Sequence, residues 1–421
     1  MNVTIFPKKL KGNVNIPPSK SLSHRAIIAA CLAEGESILS NVMFSKDVLA
    51  TISGMEALGA RVSIVGNTLR IQGSKVLRKE SEIHANESGS TLRFLIPIAL
   101  VNPEPICFYG KNNLVNRPLD SYFTLFEAYN ISYHHPKEAY LPLSIKGGLQ
   151  PGSYEVKGNI SSQFITGLLF ALPLLDGNSK IIVTTPLESK GYVDLTLDIL
   201  KKFGIQITHR NYEEFYILGN QSYKPYSYKI EGDYSQTAFF LTAGAMGAEL
   251  KLLGMSSCSY QGDKKILKDM EAFGAKPIFT DMELYCSPTK TNGATIDFSQ
   301  SPDLGPALTV LASVSEGESH FINAGRLRLK ECDRITCMKD ELTKLGAQIE
   351  ETEDTMYIRG VSMLRGGIVD SHNDHRVAMA LAMATLKMTE PLTILNAECV
   401  SKSYPEFWEI FESIGGNIKY E

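Results

Sequence analysis

The sequence repeats one pattern six times at a nearly constant interval, and this period constrains the fold more than any other feature. In each copy a short polar stretch runs directly into an apolar segment of helical length. The polar stretches begin at residues 19, 88, 161, 233, 302 and 372, so neighbouring copies lie 69 to 73 residues apart. Such regular spacing indicates a chain built from six similar structural units.

A second marker recurs with the same period. Six amphipathic segments end in a glycine or asparagine and lead into a strand-like run, which is the usual position of a left-handed helix cap. We therefore predict α/β repeats, each with one buried helix and one amphipathic helix. The turns are Leu58-Gly59-Ala60, Tyr129-Asn130-Ile131, Phe203-Gly204-Ile205, Phe273-Gly274-Ala275, Leu345-Gly346-Ala347 and Ile414-Gly415-Gly416.

The length of the chain indicates how the six repeats are grouped. A chain of 421 residues suits two domains of about 200 residues each, and hence three repeats apiece. The last repeat is short, and the residues before the first repeat restore a full period. We therefore expect the strand around Val3 to Phe6 to complete the last repeat. This predicts one domain of residues 18–231 and a discontinuous domain of residues 1–17 plus 232–421.

Composition excludes several classes of protein. The net charge of −4 argues against nucleic acid as a partner. The seven cysteines form no C-x-x-C pair and are typical of reduced thiols in a cytoplasmic protein. No apolar run approaches the roughly 18 residues that a membrane span needs, and no segment has the pattern of a signal peptide. We expect a cytoplasmic protein.

The polar stretches of the first half are suited to binding anions. Lys20 and Arg25 stand at the start of a helix that is apolar on nearly every face, with Ser19, Ser21 or Ser23 as its cap. A helix N-terminus beside fixed cations is a ready anion site. Further polar starts occur at Ser88-Gly89-Ser90-Thr91-Leu92-Arg93, where Gly89 lets a ligand approach the backbone, and at Ser161-Ser162-Gln163.

The second half carries a denser charge pattern. Six of the seven residues from Arg328 to Arg334 are polar or ionisable, and this density indicates a site rather than a surface turn. Asp303 begins a buried helix, where N-capping would explain it. His372-Asn373-Asp374-His375-Arg376 lacks the open spacing of common zinc sites and contains an arginine, so an anion-facing helix start fits better than a metal site.

Together these motifs closely resemble the family of 5-enolpyruvylshikimate-3-phosphate synthases over essentially the whole chain. The motifs are K-S-x-S-x-R from Lys20, S-S-Q-F from Ser161, R-x-K-E-x-D-R from Arg328 and N-D-H-R from Asn373. The resemblance implies an α/β fold of two inside-out α/β barrels with three repeats each, and an active site in the cleft between them. It also implies closure of the domains on the ligand, a monomer, and no cofactor or metal.

The implied reaction moves the enolpyruvyl group of phosphoenolpyruvate to the 5-hydroxyl of shikimate 3-phosphate and releases phosphate. The substrates carry about six negative charges, which calls for an excess of Lys and Arg. By resemblance, Asp303 is the base toward the 5-hydroxyl, and Glu331 with Lys20 handles the proton at the methylene carbon. Arg93 and His375 have supporting roles.

The substrate-binding residues also follow from the resemblance. Those expected around phosphoenolpyruvate are Lys20, Gly89, Arg117, Gln163, Lys330, Arg334, Arg376 and Lys402. Those expected to hold shikimate 3-phosphate are Lys20, Ser21, Arg25, Ser161, Ser162, Gln163, Ser189, Tyr192, Asp303 and Lys330.

Three positions depart from the family pattern. Glu87 stands where many relatives carry Asn, Arg326 lies where a ligand-binding Asn is common, and Gly191 replaces a common Pro. Gly89, which has no side chain, implies that the inhibitor glyphosate fits.

Two other functions remain open at this point. The sister enzyme that acts on UDP-N-acetylglucosamine typically has Lys-Asn where this chain has Lys20-Ser21, and a reactive loop cysteine near the Arg117 region; here Cys107 lies in an apolar strand. A non-catalytic anion-binding relative would not need Asp303 and Glu331.

Overall fold

The structure is a computed structural model that describes residues 1–77, 79–280 and 283–421. Within those residues the chain forms 24 strands and 12 α-helices. The strands are β1 (Val3–Phe6), β2 (Lys11–Asn15), β3 (Gly35–Ser40), β4 (Arg61–Val65), β5 (Thr68–Gly73), β6 (Glu82–His84), β7 (Ile106–Tyr109), β8 (Ser132–His134), β9 (Leu143–Lys146), β10 (Ser153–Val156), β11 (Ser179–Val183), β12 (Ile207–Arg210), β13 (Glu214–Ile217), β14 (Ser227–Lys229), β15 (Glu249–Leu253), β16 (Pro277–Phe279), β17 (Leu284–Cys286), β18 (Thr295–Asp297), β19 (Glu318–Ile322), β20 (Gln348–Glu351), β21 (Met356–Arg359), β22 (Gly367–Asp370), β23 (Leu392–Leu395) and β24 (Asn417–Tyr420).

The helices alternate between two types along the chain. The odd-numbered helices are the apolar segments of the sequence, and the even-numbered ones are the amphipathic segments. They are α1 (Lys20–Leu32), α2 (Lys46–Ala57), α3 (Gly89–Ala99), α4 (Asp120–Ala128), α5 (Ser162–Ala171), α6 (Lys190–Lys202), α7 (Tyr234–Met246), α8 (Ile266–Ala272), α9 (Gly305–Ser313), α10 (Arg334–Lys344), α11 (His375–Ala384) and α12 (Phe407–Ser413).

The described chain divides into two compact units. The central unit comprises Pro18–Ile230, and the terminal unit comprises Met1–Pro17 with Glu231–Glu421. The second boundary therefore falls one residue earlier than expected, so that Glu231 belongs to the terminal unit.

Every repeat forms a four-stranded mixed sheet with the same topology. In every sheet two parallel strands are extended by two antiparallel strands. In the second, third and fifth repeats the parallel strands directly precede and follow the apolar helix and a hairpin supplies the other two, whereas β14, β2 and β1 come from elsewhere in the chain in the first, fourth and sixth repeats. In strand order, the central unit holds β14-β3-β5-β4, β6-β7-β9-β8 and β10-β11-β13-β12. The terminal unit holds β2-β15-β17-β16, β18-β19-β21-β20 and β22-β23-β1-β24.

The amino-terminal strand lies in the sheet of the last repeat. β1 pairs antiparallel with β23, with Val3 opposite Ile394, and with β24, with Val3 opposite Tyr420. This is the place that the short last repeat indicated. Two further strands come from distant parts of the chain: β2 completes the fourth repeat and β14 completes the first.

The apolar helices are buried as their composition predicts. All 13 residues of α7 and all nine of α9 are buried. Burying a Leu, Ile or Phe side chain contributes about 1.5–3 kcal/mol, so these helices hold each unit together. α7, α9 and α11 contact one another in the terminal unit, and α3 contacts α5 in the central unit. Every helix in the described part of the chain is too short or too polar to cross a bilayer.

The helix ends confirm the predicted caps. Ser19 caps α1 by accepting a hydrogen bond from the Leu22 amide, at 3.4 Å. After α4, Asn130 takes a left-handed backbone with φ of 54°, and the glycine after each of the other amphipathic helices also has a positive φ. One expectation was wrong. Asp303 does not cap a helix, because Pro302–Leu304 form a short 3-10 turn and α9 begins only at Gly305.

Candidate functional site

In the terminal unit three cations converge on the carboxylate of Asp303. Its Oδ1 lies 3.0 Å from Lys330 Nζ and 2.9 Å from an Arg334 guanidinium nitrogen, and its Oδ2 lies 3.3 Å from Arg376. The 3-10 turn before α9 presents the carboxylate, while α10 and α11 each supply an arginine from their first turn. The structure thus brings together four of the predicted residues.

Arg334 is the centre of this cluster. Its side chain is only 1% exposed and binds three carboxylates, of Asp303, Glu331 at 2.7 Å and Asp374 at 2.7 Å. Burial works against the charge of Arg334, but these carboxylates outweigh burial and raise its pKa well above the ordinary value. Breaking such a buried network by removing one partner typically costs about 3–5 kcal/mol.

The same contacts set the protonation of Asp303 and Lys330. Burial of Asp303 disfavours its charged form, but Arg376, Lys330 and Arg334 outweigh burial and hold its pKa well below the usual range. Lys330 has a lowered pKa because it is buried, while Asp303 opposes that shift and Arg326 adds to it. Without ligand, Asp303 is therefore an ionised acceptor of hydrogen bonds and a weak base.

Lys402 and His375 lie near the start of α11. Lys402 is buried at the end of a 3-10 helix, Ala397–Lys402, and donates a hydrogen bond to the Asn373 carbonyl at 2.7 Å. His375 is the first residue of α11 and is fully buried, with Nδ1 3.9 Å from Asp374 Oδ1. Asp374 caps α11 by accepting from the Arg376 amide at 2.8 Å. Within the His372–Arg376 motif, Asp374 therefore both caps the helix that carries Arg376 and binds the side chain of Arg334.

In the central unit, Lys20 begins α1 and forms a part-buried ion pair with Asp47 of α2 at 2.8 Å. Arg25, one turn further along, donates to the Thr196 hydroxyl at 2.9 Å, the Ser21 carbonyl at 2.8 Å and the Tyr192 carbonyl at 3.0 Å. Its guanidinium also lies 5.1 Å from the centre of the Phe94 ring. Burial lowers the pKa of Arg25 to about 10, which Tyr192 partly opposes.

Several predicted shikimate 3-phosphate residues therefore lie close together. Ser21, Arg25 and Tyr192 are joined by these contacts, and Tyr192 also donates its amide to the Ser189 carbonyl at 3.1 Å. Ser189 is buried at the start of α6, in a left-handed conformation with φ of 56°.

A second group in the central unit surrounds Gly89. A Cβ atom on Gly89 would lie 2.9 Å from an Arg117 guanidinium nitrogen and 3.2 Å from one of Arg93. Arg93 donates to the side-chain oxygen of Gln163 at 2.8 Å, and the side-chain nitrogen of Gln163 donates to the Ser90 hydroxyl at 3.0 Å. Gly89 therefore lies directly against two guanidinium groups, which would have to shift to admit a side chain.

The start of α5 contributes further polar groups. Ser161 caps α5, because its hydroxyl accepts a hydrogen bond from the backbone amide of Gln163 at 3.3 Å. Ser162 is the first residue of the helix. Glu87, which departs from the family pattern, is half-buried two residues before Gly89. Gly191, the other departure in this unit, lies within the first turn of α6.

A buried hydrogen-bonded chain supports the starts of α1 and α3. His24 Nδ1 lies 2.6 Å from the Thr51 hydroxyl, which is 2.7 Å from the Thr91 hydroxyl, and Thr91 donates to Ser88 at 2.8 Å. Burial, together with the charges of Lys20 and Arg25, lowers the pKa of His24 well below its usual value. His24 is therefore neutral at physiological pH.

The sequence motifs indicated Asp303 and Glu331 but not two further carboxylates that hold cations. Asp47 pairs with Lys20, and Asp374 binds Arg334, yet neither was assigned a role. Asp374 lies in the N-D-H-R motif, so a signal was present. Arg326, the third departure, donates to the Ser299 carbonyl at 3.4 Å and adds a cation near Lys330.

Comparisons with known proteins identify the family of this chain. A family model described as EPSP synthase (3-phosphoshikimate 1-carboxyvinyltransferase) matches residues 6–411. A 3-phosphoshikimate 1-carboxyvinyltransferase of Clostridium perfringens is 52% identical over 422 residues, covering 100% of this chain and 99% of that protein. The enzyme of the same name from Clostridioides difficile is 49% identical over 429 residues, with 99% and 98% covered.

Solved structures agree in fold. The EPSP synthase of Acinetobacter baumannii has a TM-score of 0.82 at 25% identity, with 100% of both chains covered. An enolpyruvyl transferase from Streptomyces tendae has a TM-score of 0.79 at 15% identity, with 99% of this chain and 98% of that chain covered. The fold is the two-domain inside-out α/β fold of the enolpyruvyl transferases, and the chain belongs to the EPSP synthase family of 3-phosphoshikimate 1-carboxyvinyltransferases.

Proposed function

We propose that this transferase moves the 1-carboxyvinyl group of phosphoenolpyruvate to the 5-hydroxyl of shikimate 3-phosphate and releases phosphate. This reaction belongs to the shikimate pathway, which leads to chorismate and the aromatic amino acids. The observation that carries the proposal is the carboxylate of Asp303, held by Lys330, Arg334 and Arg376 and joined through Arg334 to Glu331. Such a cluster offers cations for an anionic substrate and carboxylates for proton transfer.

Charge supports the substrate assignment. Each substrate carries a phosphate and a carboxylate, and buried cations attract such groups far more strongly than cations in water. The cations proposed for phosphoenolpyruvate come from both units, so we propose that the two units serve one active site and close on the ligand. The phosphoenolpyruvate residues are Lys20, Gly89, Arg117, Gln163, Lys330, Arg334, Arg376 and Lys402, with Arg93 in support.

The shikimate 3-phosphate residues offer hydroxyl, amide and guanidinium donors, which suit a phosphate monoester on a polyol. The short contacts that join Ser21, Arg25 and Tyr192 support their assignment to one ligand. The full set is Lys20, Ser21, Arg25, Ser161, Ser162, Gln163, Ser189, Tyr192, Asp303 and Lys330.

Proton transfer accompanies two steps. In the addition, Asp303 takes the proton of the 5-hydroxyl, whose oxygen bonds to C2 of phosphoenolpyruvate, while Glu331 with Lys20 delivers a proton to C3. In the elimination, C3 returns a proton and the bond from C2 to the phosphate oxygen breaks. Asp303 is a weak base in the free protein. Anions bound by Lys330, Arg334 and Arg376 would draw these cations away and raise the pKa of Asp303.

The first experiment measures phosphate release from phosphoenolpyruvate with shikimate 3-phosphate or UDP-N-acetylglucosamine as the acceptor. We expect phosphate release when shikimate 3-phosphate is the acceptor and none when UDP-N-acetylglucosamine is the acceptor. Release with the sugar nucleotide alone would keep the chemistry and overturn the acceptor. No release from a folded protein that still binds phosphoenolpyruvate would mean a non-catalytic anion-binding protein.

A second experiment tests the proton-transfer assignment with Glu331→Gln. This variant keeps a hydrogen-bond acceptor for Arg334 but loses the titratable group. Loss of a general acid–base group typically lowers turnover by about 10²–10⁴-fold. We expect that loss with binding of shikimate 3-phosphate retained, and unchanged turnover would refute the role of Glu331.

We further propose that the protein is a cytoplasmic monomer that binds these small molecules and no nucleic acid. All seven cysteines are free thiols, which is typical of a reducing compartment. Light scattering with and without both substrates tests the oligomeric state, and a stable dimer would contradict it.

A further inference from the structure

A buried carboxylate near the end of α10 is joined to a histidine of the N-D-H-R region. Glu341 is 2% exposed, and its Oε1 lies 2.7 Å from His372 Nε2. Its Oε2 accepts the Asp370 amide at 3.1 Å and lies 2.7 Å from Lys344 Nζ. Glu341 follows Arg334 by seven residues on the same helix, so α10 carries the site arginine at one end and this carboxylate two turns later.

Glu341 and His372 hold a backbone segment with an uncommon conformation, which we call the 370–374 turn. His372 and Asn373 are consecutive non-glycine residues in the left-handed region, with φ of 50° and 56°. L-residues seldom adopt this conformation twice in succession, and it persists where surrounding contacts fix it. Here the His372 amide donates to Asp370 at 2.7 Å and the Asn373 amide donates to Ser371 at 3.2 Å.

The 370–374 turn supports two groups of the terminal-unit cluster. Its Asn373 carbonyl accepts the hydrogen bond of Lys402 at 2.7 Å, and Asp374 binds Arg334. A left-handed backbone at Asn373 sets the direction of that carbonyl, because the carbonyl follows directly on this residue's dihedral angles. The backbone conformation of the turn therefore sets the point where the Lys402 ammonium is held.

We propose that His372 and Glu341 are positioning residues that hold the 370–374 turn and thereby place Lys402 for the anionic groups of phosphoenolpyruvate. This inference rests on the proposed function, which assigns Lys402 to that substrate. Neither His372 nor Glu341 is assigned contact with substrate. Their effect reaches the reaction through the Asn373 carbonyl and Lys402.

The experiment compares four proteins, namely the wild type, His372→Ala, His372→Gln and Lys344→Gln. His372→Ala removes the contact with Glu341, whereas His372→Gln keeps a side-chain N–H that can donate to it. Lys344→Gln is the matched control, because Lys344 binds the same carboxylate from an exposed position and the 370–374 turn is joined through His372 and Asp370 instead. Steady-state kinetics and amide hydrogen exchange at residues 371–376 and 400–403 are measured for each.

We expect His372→Ala to raise KM for phosphoenolpyruvate about ten-fold, because displacing a binding group by a fraction of an ångström is costly. KM for shikimate 3-phosphate should change less, exchange should quicken in both segments, and His372→Gln should restore most of the loss. Lys344→Gln should match the wild type. Equal effects on both KM values, or no recovery with His372→Gln, would overturn the proposal in favour of a merely structural role.

The exchange measurement separates this proposal from the proposed function. If the wild type releases no phosphate with either acceptor, the function fails and exchange alone decides whether the turn holds Lys402. Exchange in His372→Ala that matches the wild type at residues 400–403 would refute the positioning role whatever the kinetics show.

Discussion

Two buried arginines, one in each unit, are held in opposite ways. In the central unit, Arg25 binds a hydroxyl, two carbonyl oxygens and the face of an aromatic ring, all of which are neutral. In the terminal unit, Arg334 binds three carboxylates. Neutral partners fix a cation without cancelling its charge, whereas carboxylates cancel it. The first arrangement suits binding of an anion, and the second suits proton transfer that begins only when an anion arrives.

The largest expected effect tests this difference directly. Arg334→Met leaves three carboxylates clustered in a buried site and should lower the free energy of unfolding by about 3–5 kcal/mol. Arg25→Met removes an equally buried guanidinium from neutral partners and should cost about 1–3 kcal/mol. Urea unfolding measures both. Fluorescence of Trp408, the single tryptophan, reports the terminal unit, and circular dichroism reports both units. An equal or larger loss with Arg25→Met would break the comparison.

Asp303→Asn should separate binding from turnover. Removing the base should lower kcat by about 10²–10⁴-fold. The same change removes the anion that competes for Lys330, Arg334 and Arg376, so phosphoenolpyruvate should bind more tightly by calorimetry. Asp297→Asn is the control, because that carboxylate accepts from the Ser299 amide at 2.8 Å. Weaker binding in Asp303→Asn would show that its carboxylate organises the cations rather than competing for them.

Gly89→Ala should have a smaller and more selective effect. The added Cβ would lie 2.9 Å from the Arg117 guanidinium, which must shift by a few tenths of an ångström. We expect KM for phosphoenolpyruvate to rise about ten-fold and inhibition by glyphosate to weaken, with little change in KM for shikimate 3-phosphate. Gly148→Ala, whose Cβ would meet only ordinary contacts at 3.6 and 3.7 Å, is the control. Parallel rises in both KM values would contradict the assignment of Gly89.

The smallest effect concerns acid stability. The folded-state pKa of His24 is lowered, so below about pH 6.5 the unfolded chain binds a proton that the folded chain does not. Stability should therefore fall between pH 7 and 5, by at most about 1.4 kcal/mol per pH unit from this group. Asp303 has a lowered pKa as well, but its contribution is lost only below about pH 3.9.

Chemical unfolding at pH 7 and pH 5 checks this prediction. His24→Gln remains neutral in both states and should show a smaller difference between the two pH values. An unchanged difference would mean that other groups cause the acid sensitivity.

The repeats could be predicted because each one carries its own local signals. Apolar runs predicted the odd-numbered helices, and a glycine or asparagine predicted where each even-numbered helix ends. The short last repeat indicated the place of β1. The placement of β2 in the fourth repeat and β14 in the first was not predicted, because strands of three to five residues carry no signal of which distant strand they pair with. The start of α9 was misjudged because Pro302 fits both the 3-10 turn and the first turn of a helix.

The residues of the cluster around Asp303 could be named from the sequence, but their pairing could not. Spacing and resemblance indicated Lys330, Glu331 and Arg334, which do lie together. The partner Asp374 lies 40 residues from Arg334, and only the packing of α10 against α11 brings the two side chains together. The lowered pKa of Asp303 has the same origin, since it depends on distances that no motif contains.

The pairing of β1 with β23 and β24 also has a consequence for biosynthesis. The central unit is contiguous and can fold while the ribosome is still making the rest of the chain. β1 is made before the central unit but must wait for Ile394 and Tyr420, which are made after that unit. An early strand with unpaired edges is exposed to aggregation throughout that delay. Lys8, Lys9 and Lys11, which follow β1 directly, supply the positive charge that discourages such association.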